Sequence, residues 1–330
     1  MDPISADFLA RFGDIDLQKI WRDLYLHYTG VTWAFLFDLL TDYSLYLISA
    51  LGLYVLFFAG QVSLGHAGIV GVSAYIAGIA SVKLGLSFYV ALLAAGLAGM
   101  LTGFVFWYLV GLRLTLFYLA IGTFAITEAL QTLALNSDYL GAALGFHGIP
   151  LATKWYHVFI ILGLVMFAVW RLEQSRFGLA MRAIRDNPTV AGAMGINVAR
   201  TKLLAWLFAG FCTGLAGCLH AHRVTILTPP EFSILMSINF VLAPLLGGLR
   251  TFWGTIIGGA IVWWLPWITT TDDPRWRLAL YGVILVALMV FRPQGIFPAT
   301  PTRTTGFRGD QAARALGRSS TGGVVDIKKS

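Results

Sequence analysis

Between Tyr43 and Val82 the chain carries no formally charged residue. Forty helical residues would extend about 60 Å, twice the hydrocarbon thickness of about 30 Å, so this stretch is expected to cross a bilayer twice. The Gly-rich GQVSLGHAG at its middle, beginning at Gly60, marks where it turns or breaks. Further apolar runs follow at 88–111, 114–135, 156–170, 203–221, 232–249, 251–271 and 278–291. Some are short or contiguous, which leaves room for half-spans, and the expected total is about nine spans. The runs are long and uninterrupted and do not alternate residue by residue, so they predict helices and not barrel strands. Backbone polar groups inside a bilayer must be satisfied within each segment, which helices achieve. The expected fold is an all-α, polytopic integral membrane helical bundle with broken Gly-rich helices.

Composition agrees with that pattern. Of 330 residues, 58% are hydrophobic and 12% charged, against about 25% charged in soluble domains, and the mean hydropathy is +0.76. The net charge of +7 would suggest nucleic acid in a soluble protein. Here it reads as topology, because cytoplasmic loops collect Lys and Arg. With the 171–202 loop and the C-terminal tail inside, Arg113, Arg250, six residues of the loop and seven from Arg292 onward fall on that side. That is 15 of the 23 basic residues. The N-terminus then lies outside, in keeping with an odd span count and with five Asp in residues 1–30. Trp107, Tyr108, Trp155, Tyr156, Trp170, Trp264 and Trp267 stand near run ends, as an interfacial aromatic belt requires. Residues 1–40 read as an external or interfacial segment, with an interfacial helix ending near Phe37. Residues 41–297 read as the membrane domain, and 298–330, rich in Thr, Gly, Ser and Arg, as a disordered cytoplasmic tail. Residues 1–30 lack a basic start followed by a short apolar core, so the first spans are expected to direct insertion. The two cysteines, Cys212 and Cys218, would lie about 120° apart on a helix and cannot bridge there.

One insert stands apart. RFGLAMRAIRDNPTVAGAMGINVARTK, Arg176 to Lys202, is basic and carries its own helix punctuation. Asn187 is placed to cap the first free N–H groups of a short helix. Pro188 suits the first helical position, where its missing N–H is no loss, and Gly195 can close the far end in the left-handed conformation. A helix of about two turns is too short to be stable alone in water, so its flanks or a partner must hold it. Val190, Ala191, Ala193, Met194 and Ile196 would make a small apolar knob for a groove on another protein. An amphipathic loop lying on the membrane, among its basic flanks Arg171, Arg176, Arg182, Arg185, Arg200 and Lys202, fits the same spacing.

The insert resembles the coupling loop of ATP-binding-cassette importer permeases, where Ala, three residues and Gly mark the turn that docks on the ATPase; here these are Ala191 and Gly195. More narrowly, SRFGLAMRAIRDNPTVAGAMGINVARTKLLAW is similar to the M-type permeases of branched-chain amino acid importers. GQVSLGHAGIVGVSAYIAG, GGLRTFWGTIIGGA and ALYGVILVALMVFRPQGIF resemble three further stretches of that family, in order, over about residues 41–298. The chain departs from the family in Pro244 and Arg250, where small aliphatic residues and a Gly are usual. GFHGIP (from Gly145) also lacks the Gly-Gly pair common just before it.

The resemblance implies a permease of the importer type and a non-enzymatic subunit. Docking on the ATPase would fall to Arg182, Asp186, Asn187, Pro188, Ala191, Met194 and Gly195. The implied partners are two ATP-binding cassette subunits, a second non-identical permease, a periplasmic or extracellular solute-binding protein contacting loops near 136–155 and 222–233, and membrane lipid, with no nucleic acid. The implied location is a bacterial inner membrane, and the implied cargo is branched-chain or related apolar amino acids.

No Gly-Lys-Ser/Thr phosphate loop exists in the chain, so no cofactor is expected on this subunit and ATP would be bound by its partners. Glu128 is an acid inside an otherwise uncharged run, at about 2.5–3.5 kcal/mol if placed at mid-bilayer. Ser63 and His66 lie at the first break, where irregular backbone lines cavities in transporters. These three are candidates for a translocation path. A hydrogen bond between helices for Glu128, and close packing through Gly60, Gly65, Gly68 and Gly71, are the structural alternatives. An ion-coupled secondary transporter would share the broken helices and the buried acid but has no use for a docking loop. A membrane-embedded enzyme would need clustered polar groups, and the six histidines are scattered. Urea or short amides remain alternative cargo for a permease of this type.

Overall fold

The computed structural model describes residues 33–114, 116–249 and 251–268, together with Gly282, Val283 and Val286. Every regular element among the described residues is a helix, and one antiparallel bridge joins Phe146 to Leu227. In chain order the helices are α1 (Trp33–Phe58), α2 (His66–Val82), α3 (Phe88–Phe106, prolonged by a wider turn at Trp107–Gly111), α4 (Leu116–Leu135) and α5 (Trp155–Gln174). They continue with α6 (Arg176–Asp186), α7 (Pro188–Ala193), α8 (Val198–Val224), α9 (Ile234–Gly247) and α10 (Phe252–Ile268). Stretches of α1, α3, α4, α5 and α8 are long and apolar enough to cross a membrane, while α2, α9 and α10 are shorter apolar helices. The all-helical membrane bundle anticipated from the hydrophobic pattern is the architecture of the described residues. The expectations for residues 1–32 and for the 298–330 tail, and most of the last run at 278–291, lie outside the described residues.

α1 is the centre. Leu47, Ile48, Leu51, Leu53, Tyr54 and Leu56 point all round the helix, yet each is at most 2% exposed. A helix apolar on every side must be enclosed, and α8, α5, α9 and α10 pack about this one. It starts at Trp33 and runs through Phe37 without interruption, so no interfacial helix ends there. No Gly or Pro lies between Trp33 and Leu51 to stop it, and Asp38 and Asp42 are met by Arg223 at the end of α8. α8 is also longer than the 203–221 run, because the Asn197 side chain accepts from Arg200 N–H and starts the helix early. α3, α4 and α5 form the outer wall and expose Leu101, Phe117 and Leu164, an apolar surface suited to lipid or another chain.

Two seams of small residues let backbones nearly touch. Along α3, Ala95, Gly99 and Gly103 recur every four residues and meet Gly210 and Gly214 of α8, so that a methyl at Gly99 would overlap the Gly210 carbonyl. In the α9–α10 hairpin, Gly247 meets Gly254, and Gly258 meets Ala243. Helices in lipid have no hydrophobic drive to associate, and close packing of this kind supplies the dispersion contact instead. Cys212 and Cys218 are free and buried within α8.

The first Gly-rich break separates α1 from α2, where the uncharged run was expected to turn. Its backbone is satisfied by side chains from around the bundle. Leu64 N–H donates to Thr123 Oγ1 of α4 (3.0 Å), Ala67 N–H to Ser237 Oγ of α9 (3.0 Å), and Gly65 N–H to Ser63 Oγ (3.1 Å). The Gln61 carboxamide oxygen accepts from Trp206 Nε1 of α8 at 3.1 Å.

Substitutions should separate the seam from the wall. Gly99→Val should lower stability by about 1–3 kcal/mol through overpacking, read as a fall in the thermal unfolding midpoint in detergent. Gly163→Ala on α5, where nothing lies within 4 Å, should leave that midpoint unchanged or slightly raised.

Candidate functional site

The basic insert folds into two capped helices. Ser175 Oγ accepts from Gly178 N–H (3.1 Å) and opens α6. Gly178, Met181 and Ile184 form its buried face, at helical spacing. At Asn187 the chain turns, and its Oδ1 accepts from both Thr189 N–H (3.0 Å) and Val190 N–H (3.1 Å). Pro188 takes the first helical position of α7. Gly195 closes the unit with φ +86°, and Ile196 N–H donates to the Ala191 carbonyl at 3.1 Å. Asn197 then caps α8. Three polar caps within 23 residues hold a segment whose second helix is too short to persist alone.

The structure divides the sequence-predicted docking residues. Met194 is 79% exposed, Val190 53%, and Gly195 faces open space. Asn187 and Pro188 sit at the exposed start of α7, and Asp186 is exposed beside Arg185, 3.6 Å away. Ala191 is buried and forms the underside of α7. Arg182 turns toward the bundle. Its Nη2 donates to the Glu173 carbonyl (2.6 Å), and its guanidinium lies 5.2 Å from the Phe58 ring centre.

That contact belongs to a network which sequence reasoning missed. The Glu173 carboxylate, at the end of α5, accepts from the Tyr54 hydroxyl of α1 and from Phe252 N–H at the start of α10 (3.0 Å). An acid at a helix N-terminus meets unpaired N–H groups and the positive end of the helix dipole. Arg185 also lies over Phe58, its guanidinium 5.7 Å from the ring centre, and its Nη1 donates to the Leu249 carbonyl (3.2 Å). A methyl at Gly60 (φ +73°) would press on the Arg185 backbone at 2.9 Å. The segment is thereby tied to both Gly-rich stretches. The signal available in the sequence was an acid, Glu173, just past the last apolar residue of a run, followed by two arginines at helical spacing.

The three path candidates are not joined. Ser63 and His66 are fully buried, and neither His66 ring nitrogen has a partner among the described residues. Glu128 is half-buried on α4, and no hydrogen bond links it to His66 or Ser63 among the described residues. At the opposite end of the bundle the loops of 136–155 and 222–233 come together. Phe146 and Leu227 exchange two backbone hydrogen bonds (2.8 and 3.0 Å), and Ala152 N–H donates to the His222 carbonyl (3.2 Å). Lys83 lies over the Tyr139 ring at 3.1 Å, and His220 stands 3.7 Å from Glu231. No cluster of three metal-binding side chains exists among the described residues.

The chain matches a family model described as "Branched-chain amino acid transport system / permease component" over residues 35–289. It is 27% identical over 312 residues to the high-affinity branched-chain amino acid transport system permease protein LivM of Salmonella typhimurium, covering 82% of this chain and 73% of that protein. The LivM protein of Escherichia coli K12 gives the same figures. A probable branched-chain amino acid transport permease protein LivH of Methanocaldococcus jannaschii is 30% identical over 169 residues, 49% of this chain and 51% of that one. No solved structure matches.

Glu173→Ala should remove two hydrogen bonds to a charged acceptor and destabilise the protein by about 1.5–3 kcal/mol, read by thermal unfolding in detergent. Glu173→Gln, which retains an acceptor oxygen, should recover most of that loss.

Proposed function

The chain belongs to the branched-chain amino acid transport permease family, and from that premise we propose how it works in an ATP-driven importer. It is a membrane-spanning permease subunit that passes branched-chain or related apolar amino acids handed over by a solute-binding protein. The partners are two ATP-binding subunits and a second, non-identical permease, in a bacterial inner membrane. The N-terminus is outside, and the α6–α7 segment faces the cytoplasm. The observation that carries this reading is α7. It is a doubly capped helix of six residues with Val190, Met194 and the open backbone at Gly195 turned outward.

The surface offered to the ATPase is Asn187, Pro188, Val190, Met194 and Gly195, with Asp186 at its edge. Arg182 and Ala191 support it from below. When the ATPases close, α7 moves with them. Its displacement reaches α1 through Phe58, α5 through Glu173 and α10 through Leu249 and Phe252. The stitched loops at the opposite end receive the binding protein. Ser63 and His66 act as packed elements of the hinge at the first break, and Glu128 faces the path from α4. ATP is bound by the partner subunits.

Purification from native membranes in mild detergent, followed by native mass spectrometry, tests the assembly. A mass containing a second permease and two ATPases is expected. A chain that purifies alone and moves solute without ATP would make it a secondary transporter. Gly195→Val forces a β-branched residue to positive φ, at about 1–2 kcal/mol, and places bulk on the docking face. ATPase subunits should be lost from the purified complex and ATP-driven uptake abolished, while the permease itself still folds and inserts. Unchanged uptake would overturn the docking role.

A further inference from the structure

A cavity of about 400 Å³ lies between α2 and α4, toward the stitched loops. That is within the range of small-molecule sites, about 300–1,000 Å³. Its walls are apolar. Val72, Ile76 and Ile79 of α2 face Leu130 and Ala134 of α4, and Phe232 with Leu140 forms the rim. Gly68 and Gly71 shape it by absence: a methyl would meet Thr127 Oγ1 at 2.8 Å in one case and the Phe232 ring at 2.9 Å in the other.

The polar groups of the lining fall into two sets. Tyr75 and Thr127 are already committed. The Tyr75 hydroxyl donates to the Leu227 carbonyl (3.4 Å), and Thr127 Oγ1 donates to the Gly65 carbonyl (3.2 Å) and the Thr123 carbonyl (3.1 Å). The Gln131 carboxamide and the Ser137 hydroxyl line the same cavity and have no side-chain partner among the described residues. No formally charged side chain lines it. A carboxamide offers two donors and an acceptor, and a hydroxyl offers one donor and two lone pairs. Together they can meet both an ammonium and a carboxylate without carrying charge themselves. The combination of aliphatic walls and two neutral polar groups six residues apart in the lining matches a zwitterion with an aliphatic side chain.

We propose that this cavity is a transit site within the subunit for an aliphatic amino acid. The side chain lies between Ile76 and Leu130, and the ammonium and carboxylate lie on Gln131 and Ser137. The proposal rests on the permease reading and adds to it a specificity contribution made by this chain, beyond that of the binding protein. Holding the charged ends with neutral groups keeps binding weak, and a conducting site requires release as well as entry.

The test uses the complete importer in proteoliposomes, with labelled leucine and alanine, and a diazirine analogue of leucine for crosslinking. Adducts are expected on residues 72–79 and 130–134, and excess leucine should compete them away. Ile76→Trp narrows the cavity between α2 and α4. Leucine uptake should fall about tenfold and alanine uptake less, the size of discrimination that shape alone provides. ATP hydrolysis stimulated by the binding protein should persist. Gln131→Leu, which leaves the volume nearly unchanged, should weaken labelling and slow uptake of both amino acids, so the proposal stays testable if the Trp variant fails to fold. Leucine uptake at the wild-type rate in both variants would overturn the transit site and leave the permease reading intact. So would a lipid acyl chain in the cavity that leucine does not displace. Absence of amino acid uptake by the unsubstituted importer would instead remove the permease reading, and the transit site with it.

Discussion

A backbone that leaves the helical conformation inside a bundle bathed in lipid frees N–H and C=O groups that no water can reach. Each one left unpaired costs on the order of several kcal/mol. The stretch between Phe58 and His66 faces this cost directly. It is met by Thr123 from α4, Ser237 from α9 and the local Ser63, while Trp206 from α8 holds the Gln61 side chain. Three helices, α4, α8 and α9, are therefore tied to one irregular segment. The arrangement explains why Thr123, Ser237 and Thr127 are buried polar residues in a chain this apolar. Their hydroxyls can reach backbone groups that a Leu or Val would leave orphaned.

The same segment lies on the path of force that the proposed function requires. Gly60 packs against Arg185, and Phe58 lies beneath both Arg182 and Arg185. Arg185 and Glu173 carry the connection on to Leu249 and Phe252, the turn between α9 and α10. That turn leads into the second small-residue seam, at Gly247, Gly254 and Gly258, where backbones pack too closely to slip independently. On the proposed docking, a displacement of α6 would be shared by α1, α5 and α10 through these contacts. At the glycine seam no side chain stands between the backbones, so little movement is absorbed there.

Much of this was legible in the sequence, and for identifiable reasons. Caps are local chemistry. Asn187, Pro188 and Gly195 act within a few residues of themselves, and their spacing announces a short helix before any contact is known. The break at Gly60–Gly68 follows from counting uncharged residues against the bilayer thickness. What could not be read was anything set by pairing between distant segments. Glu173 looks like the end of a run until Tyr54 and Phe252 are seen to converge on it. Ala191 reads as part of a docking knob by composition, yet its side chain is turned under α7. Arg182 looks like one more basic residue of a loop and is a clasp on Phe58. The continuity of α1 through Phe37 was hidden for the same reason: Asp38 and Asp42 look like an interface in isolation, but Arg223, 181 residues from Asp42, accounts for them.

On the proposed reading ATP is bound by partner subunits and this chain contributes through geometry, and the distribution of stiffness in the chain suits that role. A part proposed to meet the motor would be defined in shape yet too small to be stable without its supports, so that load passes through it into them. Six residues of helix between Asn187 and Met194 meet both conditions. The supports are charged and aromatic contacts at the end of the bundle, strong enough to hold register but accessible to rearrangement. The centre, α1 against α8, is sealed by apolar packing on every side and is the least able to deform. On the proposed docking, movement entering at α7 would emerge where packing is more open, along the outer helices α4 and α5 and the cavity beside α4. Under the proposed function the motor would supply the energy, and the packing of the permease would determine which helices yield to it.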